Sequence, residues 1–211
     1  MKAPVRSALF LGLVCIGGAA AAQTIYDVDS GGPIPPSGTA GLAVFAFFVS
    51  GEFPTITDID VRFSAEHTWD SDLEVHLTSP LSPGVPAIVV ELFTNVGGSG
   101  DNFQDTYLDD AAGTNITAGS APFEAPAWGG IRYSPEGSLA DFNGINPNGT
   151  WILTVNDGAS GDSGALFRVG DAAPWGTAIG TQLIITAVPE PATMLVLGAG
   201  LAALAARRRK R

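Results

Sequence analysis

Residues 58–78 alternate. Ile59, Val61, Phe63, Ala65, His67 and Trp69 fall on one parity, and Asp58, Asp60, Arg62, Ser64 and Glu66 on the other. This is the period of a strand with one apolar and one wet face. Asp70, Ser71 and Asp72 then predict a tight turn. Leu73, Val75 and Leu77 alternate with Glu74, His76 and Thr78 to predict a second strand. The two histidines therefore point to opposite faces, His67 into the core and His76 into solvent. "NPNGTW" (146–151) predicts a turn that launches a third strand with Trp151, Leu153 and Val155 inward. No stretch between residues 23 and 187 sustains apolar spacing of three and four, and there is no internal repeat. Short alternating runs between Gly, Pro, Asn and Asp predict an all-β fold, an antiparallel β-sandwich.

The two ends depart from this pattern. Lys2 and Arg6 precede an apolar run from Ala8 to Ile16 and a small-residue stretch ending at Ala22. That is the pattern of a signal peptide over residues 1–22, cut after Ala22, which would also remove Cys15, the lone cysteine. The other end reads Pro189-Glu190-Pro191, an apolar stretch from Ala192 to Ala206, then five cations from Arg207 to Arg211. This predicts a hydrophobic C-terminal helix, shorter than the ~20 residues that usually span a bilayer, with its basic end on the cytoplasmic side. The order resembles the PEP-CTERM sorting signal. In that family Pro189, Glu190 and Pro191 correspond to the motif that exosortase, a membrane protease, recognises. The resemblance implies export through Sec, transient anchoring by residues 188–211, then delivery to the cell surface or outside it.

Once the ends are set aside, only Arg62, Arg132 and Arg168 remain as cations, and there is no lysine. Three cations against all 21 acids leave residues 23–206 at −18. Such a surface repels phosphate backbones, so nucleic acid is excluded as a partner. It also tolerates divalent cations. Residues 23–187 are enough for one domain with a sizeable core.

Within that body, "HTWDSDLEVHLTSP", "YSPEGSLADFNGINPNGTWILTVND" and "GDSGALF" follow one another in order. The matching elements are Asp72-Leu73, Leu77-x-Ser79-Pro80, Gly149-Thr150-Trp151-x-Leu153-x-Val155, Asp157 and Gly164-x-Leu166. Together they resemble the P-domain (Homo B domain) that follows the subtilisin-like catalytic domain of kexin- and furin-type convertases. The resemblance spans roughly residues 56 to 167 and implies a jelly-roll-like β-sandwich. "GVPA" (84–87) departs from the family's usual turn. Residues 168–187 are longer than its usual final link, so either Trp175 or the run Leu183 to Ile185 closes the sheet.

The candidate chemistry is a cation site. Asp101, Asn102, Asp105, Asp109 and Asp110 lie in the Gly-flanked stretch "GGSGDNFQDTYLDDAAGTN" (97–115), and Asp70 and Asp72 could join across space. Asp157 and Asp162 could do the same. Hard oxygen donors from a loop suit calcium, although the spacing is not that of an EF-hand. The competing reading is a solvated acidic loop. Family relatives carry structural calcium near such loops, so the resemblance implies calcium as the cofactor. Zinc is not expected, because two histidines on opposite faces and no cysteine do not build its usual site. "GDSGA" (161–165) is superficially like a serine-protease nucleophile loop, but Ala165 stands where those enzymes have glycine and no triad partner is identifiable. The chain is read as a non-enzymatic module with no catalytic residues. Two roles are open: a structural or adhesive component that binds exopolysaccharide, or an accessory domain that docks a separate secreted serine protease. A line of exposed aromatics on one face would favour the first, and a compact apolar patch the second.

Overall fold

The computed structural model describes residues 23–35, 39–82, 84, 86–189 and 191–208. The signal peptide, its cleavage point at Ala22 and the motif residue Glu190 lie outside these residues. The described chain is built from β1 (Gln23–Asp27), β2 (Gly32–Ile34), β3 (Gly41–Val49), β4 (Thr55–His67), β5 (Leu73–Thr78), β6 (Val89–Thr94), β7 (Phe103–Leu108), β8 (Arg132–Tyr133), β9 (Gly149–Asp157), β10 (Gly164–Leu166), β11 (Ala172–Ala173), β12 (Gly176–Thr177) and β13 (Gln182–Val188), then α1 (Pro191–Arg208). One sheet has the order β3-β9-β5-β6. The other runs β1-β13-β4-β10-β2, with β7 paired to β4 and β8 to β7. Every named pairing is antiparallel except β7 with β8. The fold is all-β, as the alternation predicts.

The inward residues of both sheets form one core. Leu73, Val75, Leu77, Trp151, Leu153 and Val155 are all fully buried, as are Ile59, Val61, Phe63, Ala65 and His67 of β4. A column of rings runs through the core. Phe93 stacks on Phe103 at 4.7 Å and Phe103 on Phe123 at 5.0 Å, with Phe63 edge-on to the first two. Each buried phenylalanine contributes about 1.5–3 kcal/mol of transfer free energy.

Three sequence expectations fail around β4. Asp60 and Ser64, placed on the wet face by parity, are buried, and Trp69, placed in the core, is 44% exposed. β4 is hydrogen-bonded along both edges, to β13 and β10 on one and β7 on the other. Tyr107 of β7 covers Asp60, and its hydroxyl donates to Asp60 Oδ2 at 2.9 Å. At Ser64 the ladder with β7 shifts register. There Thr181 Oγ1 accepts from Ser64 N (3.1 Å) and donates to Ser64 O (3.2 Å). Trp69 lies beyond the strand end at His67, where parity no longer governs direction.

The closing strand is β13. Leu183 pairs with Val61 and Ile185 with Ile59, while β13's other edge takes β1. Trp175 instead sits in the turn between β11 and β12. α1 is a single helix of 18 residues. No helix among the described residues is long and apolar enough to cross a membrane. Its 18 residues include Gly198, Gly200 and two terminal arginines, which lower its hydropathy.

Asp60 makes the fold pH-sensitive in a defined direction. Burial pushes its carboxyl up to about 6, the nearby Asp109 and Asp58 add to the rise, and the Tyr107 hydrogen bond opposes it. A folded-state pKa above the unfolded ~3.9 means the folded state holds the proton more tightly. Its stabilising contribution is complete below pH ~4 and is lost as pH rises to about 6. The melting temperature should therefore fall between pH 4 and 6, and Asp60→Asn, which keeps the acceptor, should flatten that fall. Parallel slopes for the two proteins in a thermal melt series would count against this assignment.

Candidate functional site

His67 ends β4 and Asp157 ends β9, so the two residues meet between the sheets. His67 Nε2 lies 3.4 Å from Asp157 Oδ2, and both side chains are buried. Asp157 Oδ1 accepts from Ala159 N at 3.1 Å. The Trp69 backbone N donates to His67 Nδ1 at 3.2 Å. His67 Nδ1 also lies 2.9 Å from Trp69 O, so both ring nitrogens are engaged by the protein's own groups. The "GDSGA" stretch is accounted for by packing. Thr68 N donates to Ser163 O, Ser163 N donates to Thr68 Oγ1, and Gly164 pairs with His67 in the ladder. A Cβ on Gly164 would stand 2.3 Å from Glu66 O and 2.6 Å from the His67 ring. Glycine is required there because Gly164 stands directly opposite His67 in the ladder, close against the Glu66 carbonyl and the edge of the imidazole.

Beside this pair opens a cleft of about 310 Å³ lined by Glu66, His67, Thr68, Asp101, Asn102, Ser163 and Pro174. Asn102, in this lining, is bonded through its backbone N–H to Asp70. The loop 97–102 wraps this residue. Asp70 N donates to Gly100 O, Ser71 N to Gly98 O, and Asn102 N to Asp70 Oδ1 at 2.9 Å. Asp70 is fully buried and its Oδ2 has no hydrogen-bond partner. Burial pushes its carboxyl up to about 8; the Asn102 bond opposes this and the Asp101 charge adds to it. Gly97 has φ +84°, and a Cβ there would come within 2.9 Å of Asp70 Cβ.

The other expected ligands go to separate places. Asp105 lies within β7, fully buried, with φ +55°. It accepts from Trp128 Nε1 (2.7 Å), Trp175 Nε1 (3.2 Å) and Gly180 N (2.9 Å). Asp109 pairs with Arg132 at 2.8 Å. Asp110 accepts from Leu139 N, Ala140 N and Ser138 Oγ and so caps the 3-10 turn Leu139–Phe142. Asp72 faces Asp162 and Asp157; burial raises its carboxyl first, and these two charges add to it. Of the seven candidate residues, Asn102 is bonded to Asp70 through its backbone N–H, and Asp101 lies near enough for its charge to raise the Asp70 carboxyl. Sequence reasoning missed a further group, Glu74, His76 and Glu91, which converges on the outer face of β5 and β6. The alternation of Glu74 and His76 was the available signal, but the β5–β6 register that adds Glu91 could not be read from sequence.

Two family models and one curated protein match this chain. Residues 56–169 match the proprotein convertase P-domain, and residues 187–210 match the PEP-CTERM protein-sorting motif. A calcium-dependent protease of Trichormus variabilis is 31% identical over 111 residues, which cover 53% of this chain and 13% of that protein.

The His67–Asp157 contact sets an expectation for stability. His67→Ala leaves a buried carboxylate without its partner, at a cost of roughly 1–3 kcal/mol or more. His76 is partly exposed on the outer face, so in metal-free buffer His76→Ala should change stability by less than about 0.5 kcal/mol. Urea denaturation of the two variants checks the contrast, and equal losses would remove the inter-sheet role of His67.

Proposed function

The chain belongs to the proprotein convertase P-domain family, and on that footing we propose that it is a non-catalytic, secreted accessory module that docks a separate secreted enzyme. The PEP-CTERM motif supports export, anchoring by the C-terminus and processing by exosortase, a membrane protein. The observation that carries docking over polysaccharide adhesion is an apolar patch. On the outer face of β3, Leu42, Val44 and Phe48 are 59%, 56% and 59% exposed. Register aligns Phe48 with Thr150 and Val44 with Thr154 of the neighbouring β9. Phe48 is the one aromatic among these three, so the face offers a compact aliphatic surface rather than a row of rings. Surface of this kind is what a protein partner covers. The similar region of the Trichormus protein is a small part of a protease, which favours a protease as the enzyme docked here.

The test uses protein secreted by a host with exosortase. Proteolytic activity from the host's secreted fraction should co-purify with the wild type and be lost with Phe48→Asp and Val44→Asp, while the melting temperature stays unchanged. Retention of host exopolysaccharide by both proteins, with no associated protease, would favour the adhesive role instead.

The same module is proposed to hold one calcium ion at Asp70, Asp101 and Asn102. The buried Asp70 Oδ2 without a partner supports this reading, since a buried polar atom normally finds one and calcium takes oxygen donors from irregular loops. A cation that binds only the folded state raises stability by mass action. EGTA should lower the melting temperature by several degrees and calcium should restore it, whereas Asp70→Asn should melt alike in both. An unchanged wild-type melt across EGTA and millimolar calcium would leave Asp70 as a protonated core residue.

A further inference from the structure

On the outer face of the four-stranded sheet, three side chains converge without a hydrogen bond to account for it. Glu74 and His76 are two residues apart on β5, and Glu91 stands opposite His76 on β6. One ligand atom from each lies within 4.8 Å of the others, and all three residues are half-buried. His76 Nε2 is 3.7 Å from Glu74 Oε1 and 3.6 Å from Glu91 Oε2. A nitrogen-to-oxygen hydrogen bond spans about 2.7–3.2 Å, so neither contact is one. Two donors bound to a common tetrahedral ion at about 2.0–2.2 Å each stand about 3.3–3.6 Å apart, which is close to the observed spacing. Asn156 Nδ2, on the adjacent β9, lies 3.4 Å from the other oxygen of Glu74 and leaves Oε1 for the group.

We propose that Glu74 Oε1, His76 Nε2 and Glu91 Oε2 bind one divalent transition ion of the zinc class. The donor set selects the metal. Calcium takes six to eight oxygens, whereas imidazole with carboxylates suits zinc and its borderline neighbours. The two carboxylates balance the ion's charge. Three protein donors leave a fourth position for water or for a donor from another molecule. The ion fastens the edge strand β6 to β5 on its solvent side, where the β5–β6 ladder slips register between Val75 and His76. This site is separate from Asp70 and does not depend on the docking role.

The test is a calorimetric titration of tag-free, EDTA-stripped protein with zinc chloride in millimolar calcium. The wild type should take up one equivalent and gain melting temperature. His76→Gln, which keeps the side-chain size, and Glu91→Gln should weaken uptake by at least about tenfold, the scale on which even supporting residues act. Asp70→Asn should bind as the wild type does. Three results would overturn the proposal: no saturable uptake at millimolar zinc, uptake that His76→Gln leaves unchanged, or uptake lost in Asp70→Asn.

Discussion

β4 is hydrogen-bonded along both edges, and most of the molecule follows from that. Thirteen residues long, it takes β13 and β10 on one side and β7 on the other. A strand placed this way has no solvent on its flanks, and the side chains of β7 cover part of its outer face as well. The polar residues it buries then draw on partners inside the protein, although Asp60 Oδ1, Arg62 Nε and Ser64 Oγ are left without one. Asp60 takes Tyr107, the backbone of Ser64 takes Thr181, Arg62 takes Gln182, and His67 takes Asp157. These partners come from β7, β13, the residue just before it, and β9. The centre of the fold is thus fastened by polar contacts between distant parts of the chain, set within an apolar core.

The strong negative charge is distributed along the same lines. Several acids that look like a solvated loop in the sequence are used one at a time by the backbone and by indole N–H groups. Asp110 caps a 3-10 turn, Asp109 holds Arg132, and Asp105 binds two tryptophans. Charges spent this way are kept apart, which limits their mutual repulsion. Arg132 and Arg62, two of the three body cations, both lie over the Tyr107 ring, at 4.2 and 5.3 Å.

What could be read from the sequence was whatever depends on neighbours in the chain. The parity of β5 and β9 placed Leu73, Val75, Trp151 and Leu153 correctly, and His67 was recognisable as a core residue. The Asp70–Asp72 turn was also legible. What failed depended on register between distant segments. Asp60 is buried because β7 covers it, and His67 finds Asp157 from 90 positions away. Asp105 carried a signal that went unread. It shares parity with Phe103 and Tyr107 in "FQDTYL", the mark of an inward position, yet its chemistry suggested a loop ligand. Glu91 joined His76 only once β6 was laid beside β5.

Asp105 also binds the molecule's periphery to its middle. Its carboxylate receives Trp128 from the 3-10 turn Pro126–Trp128, Trp175 from the β11–β12 turn, and the backbone of Gly180 just ahead of the closing strand. Three excursions of the chain are therefore tied at one knot. Two of its four tryptophans form that knot, and a third, Trp151, is anchored separately through Pro147 O. Indole emission consequently carries a spatial label. A variant that keeps only Trp128 and Trp175 reports the untying of the surface loops, and one that keeps only Trp151 reports the core, so indole emission separates fraying from collapse.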